Sequence, residues 1–340
     1  MKAGTTFAII IACRNEEKYI SRCLDSILAL QYDHSLLEVL VCDGLSTDAT
    51  QDIVKGYERK HPFIKLLINY DRTTPHAFNL GIRNTKSDLV MSLGAHAELY
   101  PDYLENCLRA FERDPAIGCV GGYAVNVMED ETSAIIAAAM SAPFGVGNAY
   151  FRTGGKEGYV DTVGIGTYKR EVFARVGLYD EELARNQDDE FNYRVTKAGY
   201  KIYLDLRLKT KYYVRASFGK LYRQYHQYGY WKVYVNKKHR TVTTLRQLVP
   251  MFFVLFLTLG LVAALFHIRL FTAWLLVLLI YMIGGTAAAA RTGRKLAHIP
   301  KILFAFFLLH WSYGSGYLKG IIDLLILGRK PGQKAAALTR

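Results

Sequence analysis

The chain has 340 residues, a formal net charge of +13 and 51% hydrophobic residues, enough for one large α/β domain plus an appendage. Its five cysteines (Cys13, Cys23, Cys42, Cys107, Cys119) are odd in number, lie in the first half and lack zinc-type spacing. That excludes a disulfide framework and a zinc module, and points to reduced thiols. The excess of cations flanks apolar runs, which sets nucleic acid aside in favour of anionic lipid headgroups.

Residues 7–12 read as a buried strand that runs into Cys13-Arg14-Asn15-Glu16-Glu17. A second apolar run, 38–41, ends at Asp43 before a Gly/Ser/Thr/Asp turn. Ser46, Thr47 and Asp48 can cap the helix predicted over about 48–60, which leaves Asp43 over for another task. Two adjacent strand ends carrying Asn, Glu and Asp suit a ribose and a base, and ligands of open α/β sheets sit at such ends. Residues 64–69 read as the next strand; a helix with Asn79 and Gly81 and a strand over 88–93 follow, the alternation a parallel sheet requires. That strand leads into Gly94-Ala95-His96-Ala97-Glu98, and 143–173 is Gly-rich. At 186–190, Asn-Gln-Asp-Asp-Glu opens a helix with three acids in its first turn, favoured by the dipole; such neighbours raise one another's proton affinity. Tyr222, Tyr225 and Tyr228 then recur at helical spacing before Trp231 and Lys232, the description of an interfacial helix.

Residues 248–266 and 270–290 carry no charge, and each is long enough to cross a hydrocarbon core of ~30 Å. Lys232, Lys237, Lys238, Arg240 and Arg246 precede the first; Arg291, Arg294, Lys295 and Lys301 follow the second. The positive-inside rule then places the N-terminal domain and the 291–301 loop in the cytoplasm of a multi-pass cell-membrane protein, and no signal peptide is recognised. A third segment, 302–327, contains His310, Gly314, Gly316, Lys319 and Asp323, and either crosses or re-enters; Lys319 and Asp323 can pair at i,i+4.

The run through Glu16-Glu17 followed by Asp43-Gly-Leu-Ser-Thr-Asp48 resembles the family 2 glycosyltransferases, most of all the membrane-anchored ExoA-like enzymes of exopolysaccharide assembly. The resemblance extends over nearly the whole chain. It implies a GT-A (Rossmann-like) domain over 1–215, an interfacial amphipathic region over 216–246, a transmembrane region over 247–328 and a basic tail over 329–340. It further implies transfer of a sugar, with inversion, from a nucleotide donor (UDP first) to a polyprenyl-linked saccharide. Ala12, Arg14, Glu16, Asp43, Asn79, Gly94 and Ala95 are the implied donor-binding positions. The family's metal motif is Asp-x-Asp at a strand end; here Gly94 and His96 stand in those two places. A divalent cation is still expected at the diphosphate, Mn²⁺ suiting His96 better than Mg²⁺, with Glu98 or Asp161 as the carboxylate. Gln187-Asp188 aligns with the family's Glu-Asp pair, which makes Asp188 the base, and Asp161, Asp189, Gln224 and Trp231 fall on the acceptor side. Other readings are a polyprenyl-phosphate sugar synthase, a processive synthase and an inactive scaffold.

Overall fold

In the computed structural model, which describes residues 4–214 and 216–331, the chain divides into two compact units. One comprises Met1–Val127 and Tyr150–Tyr213, the other Met128–Ala149 and Val214–Arg340. The chain begins with strict alternation: β1 (Phe7–Cys13), α1 (Ile20–Leu28), β2 (Leu37–Asp43), α2 (Thr50–Lys60), β3 (Ile64–Ile68), α3 (Thr74–Arg83) and β4 (Leu89–Gly94). The strands are continuous apolar runs because their sheet is covered on both faces; Ile9 and Ile11 enter one buried cluster, Ile10 and Ala8 another. Next come β5 (Ala97–Leu99), α4 (Tyr103–Phe111) and β6 (Ile117–Val127), then α5 (Glu131–Ser141) and α6 (Pro143–Val146) of the second unit. The first unit is completed by α7 (Tyr150–Thr153), β7 (Gly158–Val160), β8 (Gly166–Lys169), α8 (Arg170–Val176), α9 (Gln187–Lys197) and β9 (Lys201–Tyr213).

The sheet order is β3-β2-β1-β4-β8-β6-β9-β5, with β7 beside β9. β1 pairs in parallel with β2 on one side and β4 on the other, so the strand order reverses there and opens a crevice at the carboxyl ends. In that register Ala12 lies between Cys42 and Gly94, and Cys13 lies beside Asp43. The parallel part is the α/β sheet that the sequence implies, and antiparallel pairings of β8, β5 and β7 make the whole sheet mixed; all five cysteines are free and buried in this unit.

The second unit is helical, with α10 (Phe218–His239), α11 (Val249–Ala264), α12 (Ile268–Ala290) and α13 (Ile299–Gly320). Two helices, Leu245–Ala264 and Ile268–Ala290, are long and apolar enough to cross a membrane, and 17% and 6% of their apolar windows are buried. So little internal packing leaves Phe252, Leu259, Leu276 and Leu279, among others, exposed. The segment expected over 302–327 is α13 followed by a π-helical turn, Ile321–Ile326, with the Lys319–Asp323 pair formed at 2.7 Å.

One domain expectation is revised here. Residues 128–149 group with the C-terminal helices instead of the N-terminal domain, because α5 and α6 pack against α13 and Phe144 meets Phe306 edge-on at 5.0 Å. The α10 helix, expected to be an amphipathic surface helix, buries Tyr225, Tyr230, Trp231 and even Lys232. Its crossing with α13 is backbone to backbone. A Cβ on Gly229 would lie 2.0 Å from the Tyr313 carbonyl oxygen, and one on Gly316 2.0 Å from that of His226, which is the close approach small residues permit. Residues 332–340 of the expected basic tail, with Lys334 and Arg340, lie outside the described residues.

Candidate active site

At the carboxyl ends of β1 and β2 the two following loops are laced together. Asn15, with left-handed φ 55°, accepts the Thr47 N–H at 2.8 Å and donates its own N–H to Ser46 Oγ at 2.8 Å. Glu17 accepts the Ala49 N–H at 3.1 Å while Asp48 accepts the Glu17 N–H at 3.2 Å. Asp43, which capping arguments leave over, is fully engaged. It is 0% exposed and accepts hydrogen bonds from the Ser46 hydroxyl, the Ser46 N–H at 2.9 Å and Gln51 Nε2 at 2.7 Å. In this state it holds the turn. Arg14 packs beside Gly44, its Cδ 3.4 Å from where a Gly44 Cβ would be. Its buried Nε has no acceptor among the described residues, a cost that an anion or a carbonyl of a bound nucleotide would offset.

Asn79 is absent from this crevice as a ligand. Its amide donates to the Tyr179 carbonyl at 2.8 Å and to Glu181 at 2.8 Å, and accepts the Tyr179 N–H at 2.9 Å. Those bonds pin α3 to the 179–181 loop, so the expected diphosphate contact is replaced by a structural tie.

The end of β4 departs further from the expected metal motif. The His96 imidazole lies over Gly94: a Cβ there would meet His96 Cε1 at 3.1 Å. Ala95 is wholly buried. His96 Nδ1 is 3.9 Å from Glu16 Oε1, and its ring meets Tyr212 edge-on at 6.0 Å. Glu98 faces away into the β5–β9 ladder, opposite Lys211. It accepts from Lys211 Nζ at 2.7 Å and from the Tyr213 hydroxyl. Burial pushes the Glu98 carboxyl up, but Lys211 and Tyr213 prevail and hold it below the usual range. Among the described residues no three His, Cys, Asp or Glu side chains converge as a metal site. One imidazole and one carboxylate remain, His96 and Glu16. A hard divalent ion asks for several oxygens, so these residues do not by themselves fit one, and Glu98 is corrected from metal ligand to ion-pair partner.

Asp188 stands in the first turn of α9, after Asn186 in the left-handed region at φ 61°. Its Oδ1 accepts the Asp189 N–H at 2.9 Å. The carboxyl is raised to about 6, first by burial, then by the charge of Asp189, against a lowering from Arg152 among others. Glu190, expected to help raise it, is spent on a two-pronged pair with Arg194 at 2.7 and 2.8 Å. Under this turn lies an aromatic bed: Tyr179 and Phe191 at 4.5 Å, Tyr168 and Phe191 at 5.1 Å. Tyr179 shares a 2.8 Å hydrogen bond with Ser92 of β4, and Tyr168 donates to Asn192 of α9 at 2.8 Å. The turn that carries Asp188 is thereby fixed to the strand that carries Gly94. Asn192 also donates to Thr162 at 3.0 Å; the neighbouring Asp161 is exposed. Gln224 and Trp231 are buried in the second unit, Gln224 Nε2 donating to the Tyr228 hydroxyl at 2.7 Å and Trp231 lying 5.6 Å from Tyr234.

A strand-end crevice at a topological switch point and a high-titrating carboxylate at a helix start agree with what sequence comparison finds. The family described as glycosyl transferase family 2 matches residues 8–177. This chain belongs to that family. It is 34% identical over 230 residues (65% of this chain, 71% of the relative) to the dolichyl N-acetyl-α-D-glucosaminyl phosphate 3-β-D-2,3-diacetamido-2,3-dideoxy-β-D-glucuronosyltransferase of Methanococcus voltae. It is 26% identical over 332 residues (94% and 96%) to the succinoglycan biosynthesis protein ExoA of Rhizobium meliloti. Among solved structures, the mannosyltransferase PcManGT of Pyrobaculum calidifontis, in complex with GDP-Man and Mn²⁺, superposes with TM-score 0.59 at 19% identity over 93% of this chain and 87% of that one. Staphylococcus aureus TarS 1–349 with UDP-GlcNAc gives 0.51 at 15% identity over 96% and 93%. These likenesses carry the GT-A fold, and the protein is a glycosyltransferase of glycan or exopolysaccharide synthesis whose relatives include enzymes with lipid-linked acceptors.

Arg152 lies in the Gly-rich segment 143–173, which by its resemblance to the family corresponds to a loop on the sugar and acceptor side, with no individual role for the arginine. In the fold, Arg152 stacks on Tyr212, its Cζ 5.4 Å from the ring centroid, and its charge reaches Asp188. The available signal was a cation beside an aromatic residue in a Gly-rich segment, which does not reveal its partner across the sheet.

Proposed function

We propose that this glycosyltransferase is membrane-anchored through α11 and α12 and inverting, and that it moves one sugar from a nucleotide donor, UDP-linked first, to a hydroxyl of a lipid-linked saccharide. The observation that carries the proposal is Asp188, a carboxyl near 6 at the opening of α9, tied through Tyr179 to the donor-side strand. A lipid-phosphate-linked sugar is the acceptor in the printed name of the Methanococcus voltae relative, and such an acceptor presents a hydroxyl. A hydroxyl must lose its proton during attack, and a positioned carboxylate contributes about 10²–10⁴-fold.

In this mechanism the acceptor oxygen bonds to the anomeric carbon as the carbon–oxygen bond to the diphosphate breaks. The hydroxyl proton goes to Asp188 and the bonding pair leaves with the diphosphate. Ala12, Arg14, Glu16 and the Asp43 turn hold the nucleoside, with Asp43 yielding at least one of its present donors. Asp189, Asp161, Gln224 and Trp231 are assigned to the acceptor side. The cations at 232–246 and 291–301 place both flanks of the two spans on the cytoplasmic face.

The test is transfer from UDP- or GDP-sugars to a polyprenyl-phosphate-linked monosaccharide, compared with bare polyprenyl phosphate. Transfer to the sugar-bearing lipid that Asp188→Asn abolishes supports the proposal. Transfer to the bare phosphate that survives Asp188→Asn would assign a polyprenyl-phosphate sugar synthase, because an ionised phosphate needs no base.

A further inference from the structure

Metal dependence is typical of this family, yet the strand end where a cation is expected has been rebuilt. Gly94 offers no side chain, and the space above it holds an imidazole 3.1 Å from where its Cβ would stand. The next carboxylate along, Glu98, is committed to Lys211 and Tyr213. The His96 ring abuts Tyr212, and the Arg152 guanidinium lies over the same Tyr212 ring at 5.4 Å. Imidazole, phenol and guanidinium therefore form a run of successive contacts from the end of β4 towards Asp188, within the first unit: edge-on between His96 and Tyr212, and cation over ring between Arg152 and Tyr212. The position of Arg152 is built by the fold. Its neighbour Phe151 packs on Gly164, where a Cβ would meet the ring at 2.9 Å, and Tyr123 closes on Gly154 at 3.0 Å in the same sense. A guanidinium carries a fork of N–H donors that matches phosphate oxygens, and it never loses its charge.

We propose that Arg152, held on Tyr212, supplies the positive charge that neutralises the leaving diphosphate, in place of a protein-bound divalent cation. This rests on the nucleotide-sugar reading above. When the bond between the anomeric carbon and the β-phosphate oxygen breaks, negative charge develops on that oxygen, and Arg152 donates a hydrogen bond to it. The acceptor proton goes to Asp188 as before, so nothing further is consumed or released. One cation then serves both ends of the displacement, since the same guanidinium lies within electrostatic reach of Asp188.

The experiment is calorimetric titration of the full chain in detergent with UDP, GDP and uridine, each in EDTA and in Mn²⁺. The proteins are wild type, Arg152→Ala and Arg152→Lys, with a thermal melt of each. The expected result is UDP or GDP affinity in EDTA within about threefold of that in Mn²⁺, a tenfold or larger loss of diphosphate affinity in Arg152→Ala, partial recovery in Arg152→Lys, and uridine binding unchanged throughout. Diphosphate binding that needs Mn²⁺ overturns the inference and leaves the donor reading standing. An unchanged UDP-to-uridine ratio in a folded Arg152→Ala, or in Arg152→Lys should the alanine variant not fold, also overturns it. Failure of wild type to bind either nucleotide under any condition sinks the donor reading itself.

Discussion

In the proposed mechanism Asp188 serves the reaction at the expense of the fold. Its proton affinity rises from the model-peptide value of 3.8 to about 6 because burial and Asp189 disfavour the ionised form. A carboxyl raised on folding stabilises the native state while protonated: that contribution is fully present below pH ~4 and is lost as pH rises through about 6. Activity needs the opposite form, so kcat/KM should climb with pH along an acidic limb centred near 6, and a pH–rate profile reads it. Asp188→Asn should lower kcat by about 10²–10⁴-fold and, above pH 6, raise the melting temperature by a few degrees, since each pKa unit removed is worth about 1.4 kcal/mol at most. A variant that loses both activity and stability would assign Asp188 to structure. Gly94 belongs to the same scale. Gly94→Ala forces the His96 ring to move by a few tenths of an ångström, so it should weaken nucleotide binding while the melting temperature changes little.

At the scale of elements, the tie between α3 and the 179–181 loop and the crossing of α10 with α13 hold the two units' internal order. Asn79 makes three hydrogen bonds while 1% exposed. Asn79→Ala strands the Tyr179 N–H and carbonyl, a loss of about 1–3 kcal/mol for each unsatisfied group. Chemical denaturation should show it, with nucleotide affinity falling only through the loosened bed of Asp188. In the second unit, Gly316→Val would drive a side chain into the His226 carbonyl, 2.0 Å from the Cβ position. No rotamer relieves a backbone contact, so the expected outcome is loss of folded protein, read by size-exclusion chromatography in detergent.

The division of the whole molecule also has a consequence for truncation. Because 128–149 belongs with the C-terminal helices, a chain ended after Tyr213 would keep α5 and α6 and lose α13, on which they pack. Ile135, Ile136, Met140 and Phe144 would be left uncovered. Such a chain should aggregate on expression, whereas the full chain stays monodisperse in detergent; a well-behaved truncated protein would contradict the assignment of 128–149.

Taken alone, the sequence determined the alternation of β1 to β4, the turn after Asp43, the two apolar helices and the acidic first turn of α9. Each of these is encoded locally, by apolar runs, capping residues and chain order, and local patterns survive without knowledge of the fold. Only the tertiary structure decided what those side chains touch. It turned Glu98 towards Lys211, Asn79 towards Tyr179 and Glu190 towards Arg194, and it took 128–149 out of the domain in which their sequence neighbours lie. It also carried Arg152 to Tyr212, 60 residues along the chain. Hydrogen bonds and ion pairs between distant segments depend on strand register and helix crossing, which no periodicity records. A family motif therefore names the residues that reach the crevice more reliably than the partners they find there.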